Sequence, residues 1–197
     1  MDKADCWATA FQLDMAGDTA KAIDICQKEP CSGQIECQRY LGWVYYQKRD
    51  LDRSYLWYSK GAEGGDGEAM FGLGCISRAR ENYAAALDQF KCSAVAGYPR
   101  ALHYVGEMYE RGLGAAADSD KAKQYYMQSA EHGFLIGERQ LLFLRKRQGG
   151  MLTKCLFPLA LLYLSVRAFI IALRHPGSPR VLDIPNAFSA KQRANPG

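Results

Sequence analysis

Residues 101–133 read ALHYVGEMYERGLGAAADSDKAKQYYMQSAEHG and contain one complete structural repeat. In the first half, Ala101, Val105, Gly106 and Tyr109 stand at i, i+4, i+5 and i+8, which is one face of a helix. Gly106 leaves room for a neighbouring backbone to come close. A second helix starts near Asp118 or Ser119, both good N-caps. It presents Ala122, Tyr126 and Ala130 on one face, and Gly133 ends it. Pro99 opens the first helix, where its missing N–H is harmless.

The same columns recur through the chain. Gly33, Gly65, Gly97 and Gly133 lie 32, 32 and 36 residues apart. Leu41-Gly42, Leu73-Gly74 and Val105-Gly106 keep the 32-residue frame. Tyr58, Phe90 and Tyr126 each precede a closing glycine by seven residues, and Ala62, Ala94 and Ala130 by three. Cys26 takes the aromatic column ahead of Gly33. The longer last interval fits the turn Gly112-Leu-Gly-Ala-Ala-Ala117. No run alternates at period two, so strands are not expected. Helical units are expected over 4–29, 34–63, 67–96 and 99–132, with a last helix at 135–148. Such pairs bury their apolar faces only by stacking on each other, which makes a solenoid.

The copy at 99–133 resembles the Sel1-like repeat, a relative of the tetratricopeptide repeat. It shows that family's alanine, its Val-Gly (elsewhere Leu-Gly) pair, its tyrosine, the Gly112-Leu-Gly114 turn, Asp120-Lys-Ala122, paired aromatics and the closing glycine. The copies at 34–65 and 67–97 lack the long turn, and the copy at 4–33 is degenerate. The resemblance covers about residues 4–148. It implies an all-α, right-handed α-solenoid of tandem helix-turn-helix repeats, and scaffold or adaptor work in which a partner protein lies in a concave groove. Bacterial origin follows only from the family's habit.

Relative to the glycine of each Leu-Gly pair, positions −3, +1, +4 and +5 form the stripe expected to line that groove. These are Arg39, Trp43, Tyr46 and Gln47, then Phe71, Cys75, Arg78 and Ala79, then His103, Glu107, Glu110 and Arg111. The expected partner-binding set is Arg39, Trp43, Tyr46, Gln47, Phe71, Arg78, His103, Glu107, Glu110 and Arg111. Aromatic and arginine side chains are enriched at protein interfaces, and Arg39 and Arg78 could pair acidic groups of a partner. For Trp43 and Phe71 a plain core role is equally open, because helix registers shift by a residue or two.

Beyond the repeats, Cys155–Leu173 is apolar all round apart from Arg167. At about 1.5 Å per residue it would reach across the roughly 30 Å of a bilayer core. Pro158 falls in its first turn, and Arg167 is close enough to the end to snorkel. Three placements are open: a membrane-inserted helix, spanning or re-entrant; a cap on the end of the solenoid; or a contact for a membrane partner. The domain division expected is a repeat solenoid at 1–150, a hydrophobic helix at 151–174 and a disordered tail at 175–197, with Val181-Leu-Asp-Ile-Pro185 as a weak docking motif.

Charge follows that division. The net +4 splits into 19 Lys+Arg against 20 Asp+Glu before residue 151, and six against one after it. Basicity concentrated around an apolar segment speaks against nucleic-acid binding. The denser basic cluster before the segment (Arg139, Arg145, Lys146, Arg147, Lys154) favours a cytoplasmic repeat domain at a bacterial inner membrane. The seven cysteines show no disulfide framework in their spacing, and no signal peptide opens the chain, so a reducing cytoplasm is expected. Cys26, Cys31 and Cys37 lack the close pairing of zinc sites. His103, His132 and His175 are scattered, and no nucleophile–base constellation or phosphate loop is present. The expectation is therefore a non-enzymatic scaffold or adaptor, without cofactor or metal, tethered to a membrane and binding a protein partner. The alternative is a soluble, chaperone-like client binder in which 155–173 caps the solenoid. Self-association stays open.

Overall fold

The computed structural model describes residues 3–148 and 151–174, and the tail at 175–197 lies outside them. Ten helices follow one another with no strand among the described residues. They are α1 (Lys3–Met15), α2 (Thr19–Gln27), α3 (Ile35–Gln47), α4 (Leu51–Glu63), α5 (Gly67–Ala79), α6 (Tyr83–Val95), α7 (Arg100–Arg111), α8 (Ser119–Glu131), α9 (Leu135–Gln148) and α10 (Met151–Arg174). A short 3-10 turn at Cys31–Gly33 joins α2 to α3. Each helix packs mainly on its neighbours in sequence, so the chain is an α-solenoid that ends in an apolar helix.

Local chemistry sets the helix starts. Asp18, Asp50, Asp66, Asn82 and Asp118 each cap a helix by accepting a backbone N–H two or three residues on. Gly97 (φ 84°) and Gly133 (φ 80°) sit just past α6 and α8 in the left-handed region, where a side chain would be strained. Gly33 departs from that column, because it lies in the 3-10 turn.

Three of the capping carboxylates make stability pH-dependent. The side chain and then the backbone N–H of Lys21 hold the Asp18 pKa down. The backbone N–H of Arg53 does so for Asp50, and that of Lys121 for Asp118. A lowered carboxylate pKa gives stability that is complete above the usual carboxylate range and is lost as pH falls through the folded value. The urea midpoint should hold down to about pH 5 and fall between about pH 4 and 2. In Asp18→Asn/Asp50→Asn/Asp118→Asn the caps remain but no longer titrate, so that fall should be shallower. Equal slopes would remove the caps from the acid transition.

The paired helices interlock by one device. A Cβ built on Gly42 would lie 2.7 Å from the ring of Tyr58, on Gly74 2.5 Å from Phe90, and on Gly106 2.7 Å from Tyr126. The glycine column is therefore a seat for the aromatic column of the paired helix. The close approach expected from a neighbouring backbone is made by a ring instead. Tyr58 also presses on Gly72 of the next unit, where a Cβ would stand 2.5 Å from it. Serines add backbone ties: Ser54 Oγ donates to Gly42 O at 2.7 Å, and Ser93 Oγ to Gly67 O at 2.6 Å.

The cysteines correct the sequence reading. Cys6 of α1 and Cys31 of the 3-10 turn form a disulfide, with Cα atoms 5.5 Å apart. The turn folds back onto α1 across 25 residues, a proximity that spacing alone does not reveal. The thiol argument for a reducing compartment is thereby removed. Cys26 and Cys37 stay buried and free, and a hydrogen bond with Cys37, followed by burial, pushes the Cys26 thiol pKa up.

Candidate functional site

The first helices of the second, third and fourth units (α3, α5 and α7) supply the expected stripe. Its four columns separate into two kinds.

The −3 column is interior. Arg39 is 8% exposed; its Nη1 donates to Glu68 Oε2 at 3.0 Å and to Asp66 Oδ2 at 3.3 Å, so it clamps α3 to the start of α5. Phe71 is 1% exposed among the rings of Phe90, Tyr98 and Tyr104, with centroids 5.3, 5.3 and 4.9 Å away. His103 is 4% exposed between Tyr104 and Tyr126. This corrects the exposure expected of Arg39 and His103, and agrees with the core role left equally open for Phe71. The position one turn before the glycine faces the packed interior, so these side chains hold the array together and offer no surface to a partner.

The remaining columns reach the surface except at Cys75, which is buried in the core. Trp43 is half-buried between two core clusters, and Tyr46 bridges the clusters of the second and third units. Burial raises the Tyr46 hydroxyl pKa, so it stays a neutral donor. Arg78 holds its guanidinium 5.0 Å over the ring of Tyr104, with Nη1 3.5 Å from Glu107 Oε2. Glu107 also accepts from Arg111 at 2.8 Å. Glu110 accepts from the Tyr126 hydroxyl at 2.9 Å and from Arg147 of α9 at 2.7 Å. Gln47 and Arg111 are exposed. Arg78 and Glu107 join α5 to α7, and Glu110 and Arg147 carry the row on to α9. Arg147 was missed in the sequence because Arg145-Lys-Arg147 read as a topology signal. Only its spacing from the last repeat could have suggested that it joins the row.

This row of half-buried aromatics and paired charges can hold an extended polypeptide by apolar contact and hydrogen bonding. Among the described residues no three His, Cys, Asp or Glu side chains gather as a metal would require.

No protein-family pattern matches the chain. An uncharacterised protein of Neisseria meningitidis is 28% identical over 129 residues, which cover 64% of this chain and 27% of that protein. Chitin synthase regulatory factor 3 of Schizosaccharomyces pombe is 35% identical over 95 residues, 45% of this chain and 10% of that protein. The chain thus matches only a minor part of each of these curated relatives. The crystal structure of a Sel1 repeat protein from Oxalobacter formigenes superposes with a TM-score of 0.60 at 22% identity, over 72% of this chain and 62% of that one. With its glycine seats, capped helix pairs and closing glycines, the chain is in fold a Sel1-like repeat protein.

Proposed function

We propose that this chain is a non-enzymatic scaffold that holds a partner protein in the concave groove formed by α3, α5 and α7, and that α10 tethers it to a membrane. Sel1-repeat proteins are generally protein-interaction scaffolds. The fission-yeast relative is, by its name, a regulatory factor, which fits work done by holding another protein.

The observation that carries this reading is the continuous row from Trp43 and Tyr46 through Arg78, Glu107 and Arg111. It crosses three units on one side of the array. Its aromatics are already held by packing, so little side-chain freedom is lost when a partner docks. The tether rests on Lys154–Arg174, 21 residues of mean hydropathy 2.2 with 11% of the window buried.

The test is capture of the native partner by the full chain and by Trp43→Ala/Arg78→Glu. Both positions are accessible enough that the variant should keep its helical circular dichroism. Binding should weaken by roughly ten- to a hundredfold. A folded variant that retains its partner would move the site off this groove.

The second reading is a soluble, chaperone-like binder capped by α10. It is favoured by the packing of Phe157 and Leu164 of α10, both 8% exposed, onto the end of the array. Full-length protein that stays in the aqueous phase of a detergent partition would select it.

A further inference from the structure

Residues further along α10 meet residues earlier along α9, so the two helices pack as an antiparallel hairpin. Phe157 packs edge-on against Phe143, with ring centroids 5.0 Å apart, and Lys146 Nζ lies 4.2 Å over the Phe157 ring. Arg167 donates from Nη1 to both carboxylate oxygens of Glu138, at 2.7 and 2.6 Å. The charge that looked out of place in an apolar helix is therefore neutralised by the neighbouring helix.

That pairing decides how α10 can meet a lipid bilayer. If α10 crossed the membrane with this contact intact, α9 would go with it, and α9 carries Glu138, Arg139, Arg145, Lys146 and Arg147. If α10 crossed alone, Arg167 would enter the hydrocarbon without its carboxylate, and charged residues are disfavoured there. Neither penalty arises if α10 lies along the surface. Its inner face stays on α9, and its outer face carries Leu159, Leu162, Tyr163, Val166, Phe169 and Leu173, each 50–67% exposed. Such a face can sink into the boundary between headgroups and acyl chains. Around it stand Arg139, Arg145, Lys146, Lys154 and Arg174, all exposed, while Glu138 is the one acid in α9 and α10. The occupant that fits an apolar strip with a basic rim is an anionic lipid surface.

We infer that α10 is a monotopic anchor: docked on α9 through Arg167 and Glu138, it lies in the plane of an anionic bilayer, with both of its ends on the same side as the repeat array. This rests on the proposed membrane tether and states its geometry. The basic residues flanking α10 then serve lipid headgroups and no longer report an orientation across the membrane.

The test uses the full chain with Cys92→Ser and Cys155→Ser, and with Lys154→Cys and Arg174→Cys marking the two ends of α10. It is reconstituted from detergent into sealed vesicles of phosphatidylcholine with or without phosphatidylglycerol, and a membrane-impermeant maleimide is added outside. Intact mass then counts labels per molecule. An in-plane helix gives molecules with two labels or none; a spanning helix gives molecules with one. The expected result is two or none; the unsubstituted chain, with Lys154 and Arg174 in place, should float roughly tenfold more strongly on phosphatidylglycerol vesicles than on phosphatidylcholine alone, and less strongly in salt. In the Arg167→Leu chain the population should move towards one label.

One label on the parent chain overturns the in-plane geometry and leaves the tether standing. Failure to float on either vesicle overturns the tether itself. A lipid-free dimer with both α10 ends shielded from the maleimide overturns the lipid assignment and makes a second copy of the chain the occupant.

Discussion

Phe90→Ala should lower the stability of the folded chain by about 3–5 kcal/mol, and Gly74→Ala should change sign in its presence. Phe90 is fully buried, seated on Gly74 and walled by Phe71 and Tyr104. In the native chain a methyl at position 74 would stand 2.5 Å from that ring, which has no free side to move towards. The strain of overpacking, about 1–3 kcal/mol, offsets or exceeds the roughly 1 kcal/mol that alanine gains over glycine inside a helix. With Phe90 shortened, the same methyl enters the space the ring left, and the helix gain remains. Gly74→Ala is thus expected to be destabilising alone and stabilising in Phe90→Ala. Urea midpoints of the four chains measure it. Additive effects would show that the ring and the glycine do not hold each other.

Arg39→Ala should lose a comparable amount, about 3–5 kcal/mol, because it strips a guanidinium from a carboxylate that is itself buried. Arg39 and Glu68 are 8% and 5% exposed, and their contact is one of the few polar bonds between the second and third units. Asp66 loses the same guanidinium but keeps its role as the cap of α5, accepting from Ala69 N at 2.7 Å. A surface role for Arg39 predicts instead a loss near zero. Urea titrations at low and high salt separate the two, as a buried pair is screened little.

The repeat was legible because its columns are made of residues that few others can replace. A glycine under a ring, an aspartate at a cap and a glycine past a helix end each leave a mark at a set interval. Which side chains of the stripe reach the surface was legible only in part. One helical turn separates Arg39 from Trp43, and in this array that turn is the difference between the interior and the surface. The −3 column is interior in all three units, at Arg39, Phe71 and His103 alike, and only for Phe71 did the sequence leave that placement open. The disulfide and the Arg167–Glu138 pair could not be read at all. Each joins residues well separated in sequence, and only the packing of a turn or a hairpin brings them together.

Tyr58 and Phe90 occupy the same column but meet the following unit differently. Tyr58 bears on bare backbone at Gly72, whereas 32 residues on that place is taken by Tyr104, whose ring lies 5.2 Å from Phe90. The joint between α4 and α5 therefore depends on the absence of a side chain at position 72, and the joint between α6 and α7 on the presence of a ring at position 104. A polypeptide lying across α3, α5 and α7 would cross two joints closed by opposite means, one by a gap that admits a ring and one by a ring that fills a gap.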